Sequence, residues 1–217
     1  MCMDKKERIR LIIGIVFNLI ILGVGLYCLS TYIKYYMRGD PDIRFRYFTN
    51  ISTLTVTSIS IPNIVFLLMS VIKGKMIYPK ILSIIKFIGL NMTTLTFFTV
   101  VLIIAPLTSY KEMFENVRFF THLIIPVTVV ISYLFFEEKT LFNWKYTFLS
   151  FVPPVTYSIV YTINVIFTSN WPDLYRINTQ GIWYIYEISL CLFSFVLGLG
   201  LYFLKKAILT HHKKKSS

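Results

Sequence analysis

Three side chains able to handle a proton stand near the starts of long apolar runs. They are Thr49 in Arg46-Tyr47-Phe48-Thr49-Asn50-Ile51-Ser52-Thr53, His122 in Arg118-Phe119-Phe120-Thr121-His122, and Glu187 in Trp183-Tyr184-Ile185-Tyr186-Glu187. A threonine hydroxyl is inert at neutral pH unless a base removes its proton as it attacks, and histidine, which titrates near neutrality, is the usual base. A hydroxyl and an imidazole brought together in a pocket that water can reach would form a two-residue site for acyl transfer. The elements that carry them decide whether they can meet.

With 56% hydrophobic and 17% aromatic residues in 217, the chain is too apolar for a soluble globule of this size. Charge is confined to clusters between apolar runs of about 20 residues, each able to cross roughly 30 Å of hydrocarbon at about 1.5 Å per residue. The runs predict spans over about 11–35, 47–72, 81–105, 119–136, 147–168 and 182–204. Connectors are short, and neither an internal repeat nor a Gly/Ser linker interrupts them. The expectation is an all-α, polytopic integral membrane protein: one membrane domain over 1–217, folded as a six-transmembrane-helix bundle. The basic start followed by Leu11 to Leu29 resembles a signal peptide but lacks a small-x-small cleavage site, so it is read as a retained first span.

The formal net charge is +12, from 22 Lys and Arg against 10 Asp and Glu. The cations sit at the ends of apolar runs and form no patch interleaved with surface aromatics, which excludes nucleic acid and points to topology signals facing anionic lipid. Lys5, Lys6, Arg8, Arg10, Lys73, Lys75, Lys80, Lys139, Lys145, Lys205, Lys206, Lys213, Lys214 and Lys215 fall on one side, and Lys34, Arg38, Arg44, Arg46, Lys111, Arg118 and Arg176 on the other. The positive-inside rule then puts both termini in the cytoplasm. Spans two, four and six start externally, so Thr49, His122 and Glu187 lie at similar depth on three helices. Abundant Ile, Lys, Tyr and Phe with few Ala fits an AT-rich genome, and the expected location is a bacterial plasma membrane.

Most other polar residues have a structural reading. Thr49, Ser52, Thr53, Thr57, Ser60 and Asn63 form a stripe at steps of three or four. In most such stripes the hydroxyls bond the carbonyl four residues back or a neighbouring helix. Asn91, Thr93, Thr94, Thr96 and Thr99 form a second polar face, and Asn18 needs one interhelical bond. Lys86, about one turn from the cytoplasmic end, is expected to snorkel to the interface. Arg118 and His122 share a face at i, i+4, and Pro126 leaves the His122 carbonyl without its helical donor. Pro153-Pro154 kinks the fifth span, where Tyr157 and Tyr161 either line a cavity or hydrogen-bond neighbouring helices. Glu187 must be protonated, paired or wet, with Arg118, Arg176 or His122 as candidate partners.

No metal site is indicated. Cys2, Cys28 and Cys191 lack paired spacing, and His211-His212 belongs to a basic tail. The chain has no Gly-x-Ser-x-Gly elbow and no His-Glu-x-x-His pair, and cofactor chemistry has no support.

Tyr47-Phe48-Thr49 heading span two, together with Thr121-His122-Leu123-Ile124-Ile125-Pro126 heading span four, resembles the androgen-induced membrane hydrolase family, bacterial branch. The resemblance implies about six spans over nearly the whole chain. It also implies a Thr49 nucleophile, a His122 base and activity on fatty-acid esters of hydroxy fatty acids, with membrane lipids and a lipid ester as partners. Asn50, Ser52 and the tyrosines are candidate oxyanion donors. Two other readings are open: a small-molecule-binding transporter subunit, although the first span lacks the alanines of the usual docking pattern, and an assembly protein without chemistry.

Overall fold

The computed structural model describes residues 3–38, 46–137, 142–173, 175, 178 and 181–216, with backbone alone over 212–216. Seven helices make up this described part. They are α1 (Lys5–Met37), α2 (Phe48–Lys73), α3 (Lys80–Leu107), the short α4 (Tyr110–Met113), α5 (Asn116–Phe136), α6 (Trp144–Phe167) and α7 (Trp183–Ser216). All but α4 are long and apolar enough to cross a membrane, which makes this a multi-pass membrane protein. The expected spans agree with these helices to within a turn or two. The exceptions are the outer ends of α1 and α7, where polar residues continue the helix beyond its apolar run.

Helix α3 is the most buried span and packs against α2, α5, α6 and α7, while α1 lies along α2 and α5. Close approach depends on glycine. A Cβ at Gly25 would lie 1.9 Å from the Thr57 hydroxyl, and one at Gly14 would lie 2.7 Å from the Phe136 carbonyl oxygen. Small residues of this kind let helix backbones pack where lipid supplies no hydrophobic drive. Most hydroxyls of the two polar stripes return to their own helix. Thr57 donates to the Thr53 carbonyl at 2.7 Å, Ser60 to Val56 at 2.8 Å and Thr94 to Leu90 at 2.7 Å.

Three spans are not uniform α-helix. In α3 and α5 a π-turn sits just before a proline, over Val100–Ile104 ahead of Pro106 and over Phe120–Ile124 ahead of Pro126. Proline cannot donate, and its ring crowds the carbonyl four residues back. The chain widens instead, and the Ile125 N–H reaches the Phe120 carbonyl. Helix α5 ends in another π-turn over Ser132–Phe136, and α6 starts as a 3₁₀ helix that becomes α at Val152, next to Pro153-Pro154.

Lys86 does not snorkel. It is 3% exposed and its ammonium is paired with Glu137, the residue that follows α5 and is also 3% exposed. The Lys86 ammonium also donates to Asn18 Oδ1 at 2.7 Å, and Asn63 donates to that oxygen at 3.2 Å. Asn18 Nδ2 in turn donates to the Gly14 carbonyl at 2.8 Å and to Glu137 Oε1 at 3.1 Å. Tyr78 donates to Asn63, Ser132 to Glu137, and Arg10 to the Glu137 carbonyl. Glu137 is itself buried, and a carboxylate there needs a compensating cation, which Lys86 supplies instead of reaching the interface. Lys205, expected in the solvated tail, is also buried at 2% exposure, and it donates to the Tyr133 carbonyl at 2.8 Å while lying over the Tyr133 ring.

Lys86→Met leaves Glu137 buried without its cation and is expected to lower unfolding free energy in detergent by about 3–5 kcal/mol. Lys86→Met combined with Glu137→Leu should recover most of that loss in the same thermal or denaturant melt. A double variant no more stable than the single would rule out the pair as an energetic unit.

Candidate functional site

Helix α2 begins at Phe48 without a side-chain cap, so its first amides need acceptors from elsewhere. Tyr175, in the connection between α6 and α7, provides one: the Phe48 N–H donates to its hydroxyl at 3.0 Å. Tyr157 of α6 donates to the Arg46 carbonyl, and its hydroxyl lies 3.3 Å from that of Tyr175. Tyr161, one turn further along α6, donates to Asp173 Oδ1 at 3.1 Å and accepts from the Tyr175 amide at 3.1 Å. The rings pack as well, with Phe48 5.1 Å from Tyr157 and Tyr161 5.1 Å from Tyr175 between centroids. The Arg46 guanidinium stands over the Trp171 ring. These aromatics fix the entry of α2 and therefore the position of Thr49. Desolvation by the packed rings pushes the Tyr175 phenol up to about 12, so it keeps its proton at physiological pH.

Thr49 lines a cavity of about 100 Å³ enclosed by α2, α3, α6 and α7. Its apolar wall includes Leu95, Val100, Ile103 and Ile104 of α3 and Leu190 of α7. Its polar wall carries Thr96, Tyr157, Ser158, Tyr161, Tyr175, Glu187 and Cys191. Ser158 donates its hydroxyl to Glu187, so the carboxylate finds its partner on the adjacent helix. Neither Arg118 nor His122 fills that role, and Arg176 lies outside the described residues. Arg118 is exposed and pairs with Glu112 at 3.0 Å.

Thr49 differs from the rest of its stripe. Ser52 donates to the Thr49 carbonyl at 2.9 Å, and Thr55 donates to Ile51 at 2.8 Å. The Thr49 hydroxyl has no hydrogen-bond partner among the described residues, because it sits in the first turn, where no helical carbonyl lies four residues back. The Thr53 hydroxyl also has none but is buried away from the cavity wall. Ser52 lies 3.2 Å from the Thr96 hydroxyl, and both Ser52 and Asn50 are buried without lining the cavity.

His122 is buried at 8% exposure inside the π-turn of α5, which packs against α1, α2 and α3. Its Nδ1 lies 2.8 Å from the Met113 carbonyl oxygen and its ring meets Phe114 edge to face. A carbonyl can only accept, so this contact places the proton of the neutral ring on Nδ1 and leaves the Nε2 lone pair available. His122 is not part of the cavity wall, although Met113 packs in a cluster with Val100 and Ile104, which are. The structure therefore groups Thr49, Tyr157, Tyr161 and Glu187 around one space, with Arg118 and His122 outside its lining.

Ser158, Tyr175 and Cys191 are cavity residues that sequence reasoning did not select. Cys191 lies one turn past Glu187, where helical spacing was the available signal, whereas Ser158 follows Tyr157 directly and spacing gives no common face for the two. Among the described residues, no group of His, Cys, Asp or Glu could hold a metal ion.

Tyr175→Phe removes the acceptor for the Phe48 amide. It should destabilise the start of α2 by about 1–3 kcal/mol, read as faster hydrogen exchange over residues 46–52 with α3 unchanged. Unchanged protection there would show that ring packing alone holds the entry. Compared with known proteins, the chain matches no family model, no curated protein and no solved structure.

Proposed function

We propose that the protein is an intramembrane lipid-ester hydrolase in which Thr49 is the nucleophile and His122 the base. The observation that carries this reading is the Thr49 hydroxyl, without a partner among the described residues and on the wall of a cavity between membrane-spanning helices. A lipid ester is the substrate that diffuses laterally into such a site. The Thr49 oxygen attacks the ester carbonyl while its proton passes to His122 Nε2. Collapse of the tetrahedral species expels the alcohol, which takes the proton back, and water then releases the acid from the acyl-threonine by the same steps in reverse order. The Tyr175 hydroxyl stands on the cavity wall, where a neutral donor can stabilise the oxyanion. The resemblance of Tyr47-Phe48-Thr49 and His122-Leu123-Ile124-Ile125-Pro126 to the androgen-induced hydrolases supports these roles, and the excess of basic residues beside the termini supports a plasma-membrane orientation with the site external.

One observation favours a second reading, lipid binding without catalysis: His122 is held by Met113 and does not line the cavity. Hydrolysis of a fluorogenic lipid ester by the purified protein separates the two. Thr49→Ala should reduce turnover to background, and His122→Ala should lower it by about 10²–10⁴-fold. Thr49→Ser should retain part of it. Activity that survives both alanine substitutions would overturn the hydrolase reading, and so would a wild-type protein that binds the ester and never turns it over.

A further inference from the structure

At about 100 Å³ the cavity beside Thr49 is well below the roughly 300–1,000 Å³ of pockets that enclose a whole ligand, so it cannot hold a complete lipid ester. An ester bond placed there must leave its acyl chain elsewhere. A second space, of about 440 Å³, runs along the outer side of α6 and α7 between Val155, Ile159, Ile163, Phe167, Ile188 and Leu192. That volume is in the range of ligand pockets. Ile159 and Leu192 are 56% and 60% exposed on spans that face lipid, so in a bilayer this groove is filled by hydrocarbon.

The two spaces have a common wall. Ser158, Glu187 and Cys191 line both of them, and the hydroxyl-to-carboxylate bond from Ser158 to Glu187 lies at that wall. We infer that the groove between α6 and α7 is an acyl-chain binding site continuous with the inner cavity, and that the Ser158–Glu187 contact is the neck through which the polar end of a lipid passes inward from the groove. The ligand class is a single saturated or unsaturated acyl chain bearing a polar group. The chain lies in the groove, and the polar end exchanges hydrogen bonds with Ser158 and Glu187 as it enters. This inference extends the hydrolase reading by naming the substrate's path, and it holds equally for a lipid-binding protein without catalysis.

The test is photolabelling in phosphatidylcholine vesicles that contain a fatty-acid ethyl ester with a diazirine on the carbon next to its ester group, followed by mapping of adducts to single residues. Thr96 and Val100 line the inner cavity and are 4% and 2% exposed, so bulk lipid cannot label them, whereas Leu19 and Leu26 on the outside of α1 report bulk lipid. Adducts at Thr96 or Val100 are expected in the wild type, reduced at least fivefold by excess unlabelled ethyl oleate. Val155→Trp, which fills the groove, should reduce them to the same extent while leaving Leu19 and Leu26 labelling unchanged. The ethyl oleate competition needs no variant and stands whether or not Val155→Trp folds. Inner-cavity adducts that are absent, or that ignore the competitor, would overturn the proposal. Labelling without esterase activity would remove the hydrolase reading and leave the groove, and activity without labelling would do the reverse.

Discussion

The pairing of Lys86 with Glu137 is the contact on which the arrangement of the bundle rests. Either charge alone would be costly between spans, and together they still need hydrogen bonds for their remaining donors and lone pairs. Asn18 supplies these from α1, Ser132 from α5, and Asn63, through Asn18, from α2. Three helices thus converge on one carboxylate, and a fourth, α2, is tied in through Asn18. Interhelical hydrogen bonds in membranes are individually weak, about 0.6 kcal/mol on average. A network centred on charges acts differently, because a shift of α3 or α5 by one turn would leave an ion unpaired, and a shift of α1 would strip the Asn18 hydrogen bonds from both ions. The network sets register as much as it contributes energy, and the glycines at 14 and 25 let α1 come close enough to join it.

At the opposite end the constraint is proline. Pro106 and Pro126 each force a π-turn on the residues before them, in the two helices whose upper halves flank the cavity and the histidine. An undistorted α5 would keep Arg118 and His122 on one face. The extra residue in the turn separates them, so that Arg118 meets Glu112 at the surface while His122 turns inward to Met113. The same device in α3 leaves Val100, Ile103 and Ile104 along the cavity wall. π-turns often mark functional sites because they re-aim side chains at little cost in hydrogen bonding.

Span number, span limits and the packing role of most hydroxyls could be read from the chain because each depends on local composition and period. Lys86 could not. Its depth suggested an easy route to the interface, but its partner, Glu137, is 51 residues away and sits in a connector where a carboxylate raises no suspicion. Lys205 was hidden in the same way by its place beside Lys206 at the start of a basic tail. Within the site, Thr49, His122 and Glu187 were legible as residues at a common depth and Tyr157 and Tyr161 as a face that could line a cavity; all but His122 share one cavity. Depth alone carries no azimuth. Ser158 escaped notice because nothing in the sequence shows that α6 turns it toward Glu187, and the proline-driven rotation of His122 depends on hydrogen bonding that i, i+4 spacing does not describe.

The availability of Thr49 follows from these same rules. A hydroxyl inside a transmembrane helix is ordinarily saturated by the carbonyl four residues back, as at Thr57, Ser60 and Thr94, and a saturated hydroxyl is a poor nucleophile and a poor ligand for anything else. A residue in the first turn has no such carbonyl, and a first turn placed at membrane depth needs its own free amides satisfied by other means. Tyr175, in the connection after α6, does this for the Phe48 amide, and Tyr157 of α6 donates to the Arg46 carbonyl just ahead of it. The aromatic cluster thereby allows α2 to start inside the protein and to present an unpaired hydroxyl to a cavity, where a helix beginning in water would have exposed the same threonine to solvent.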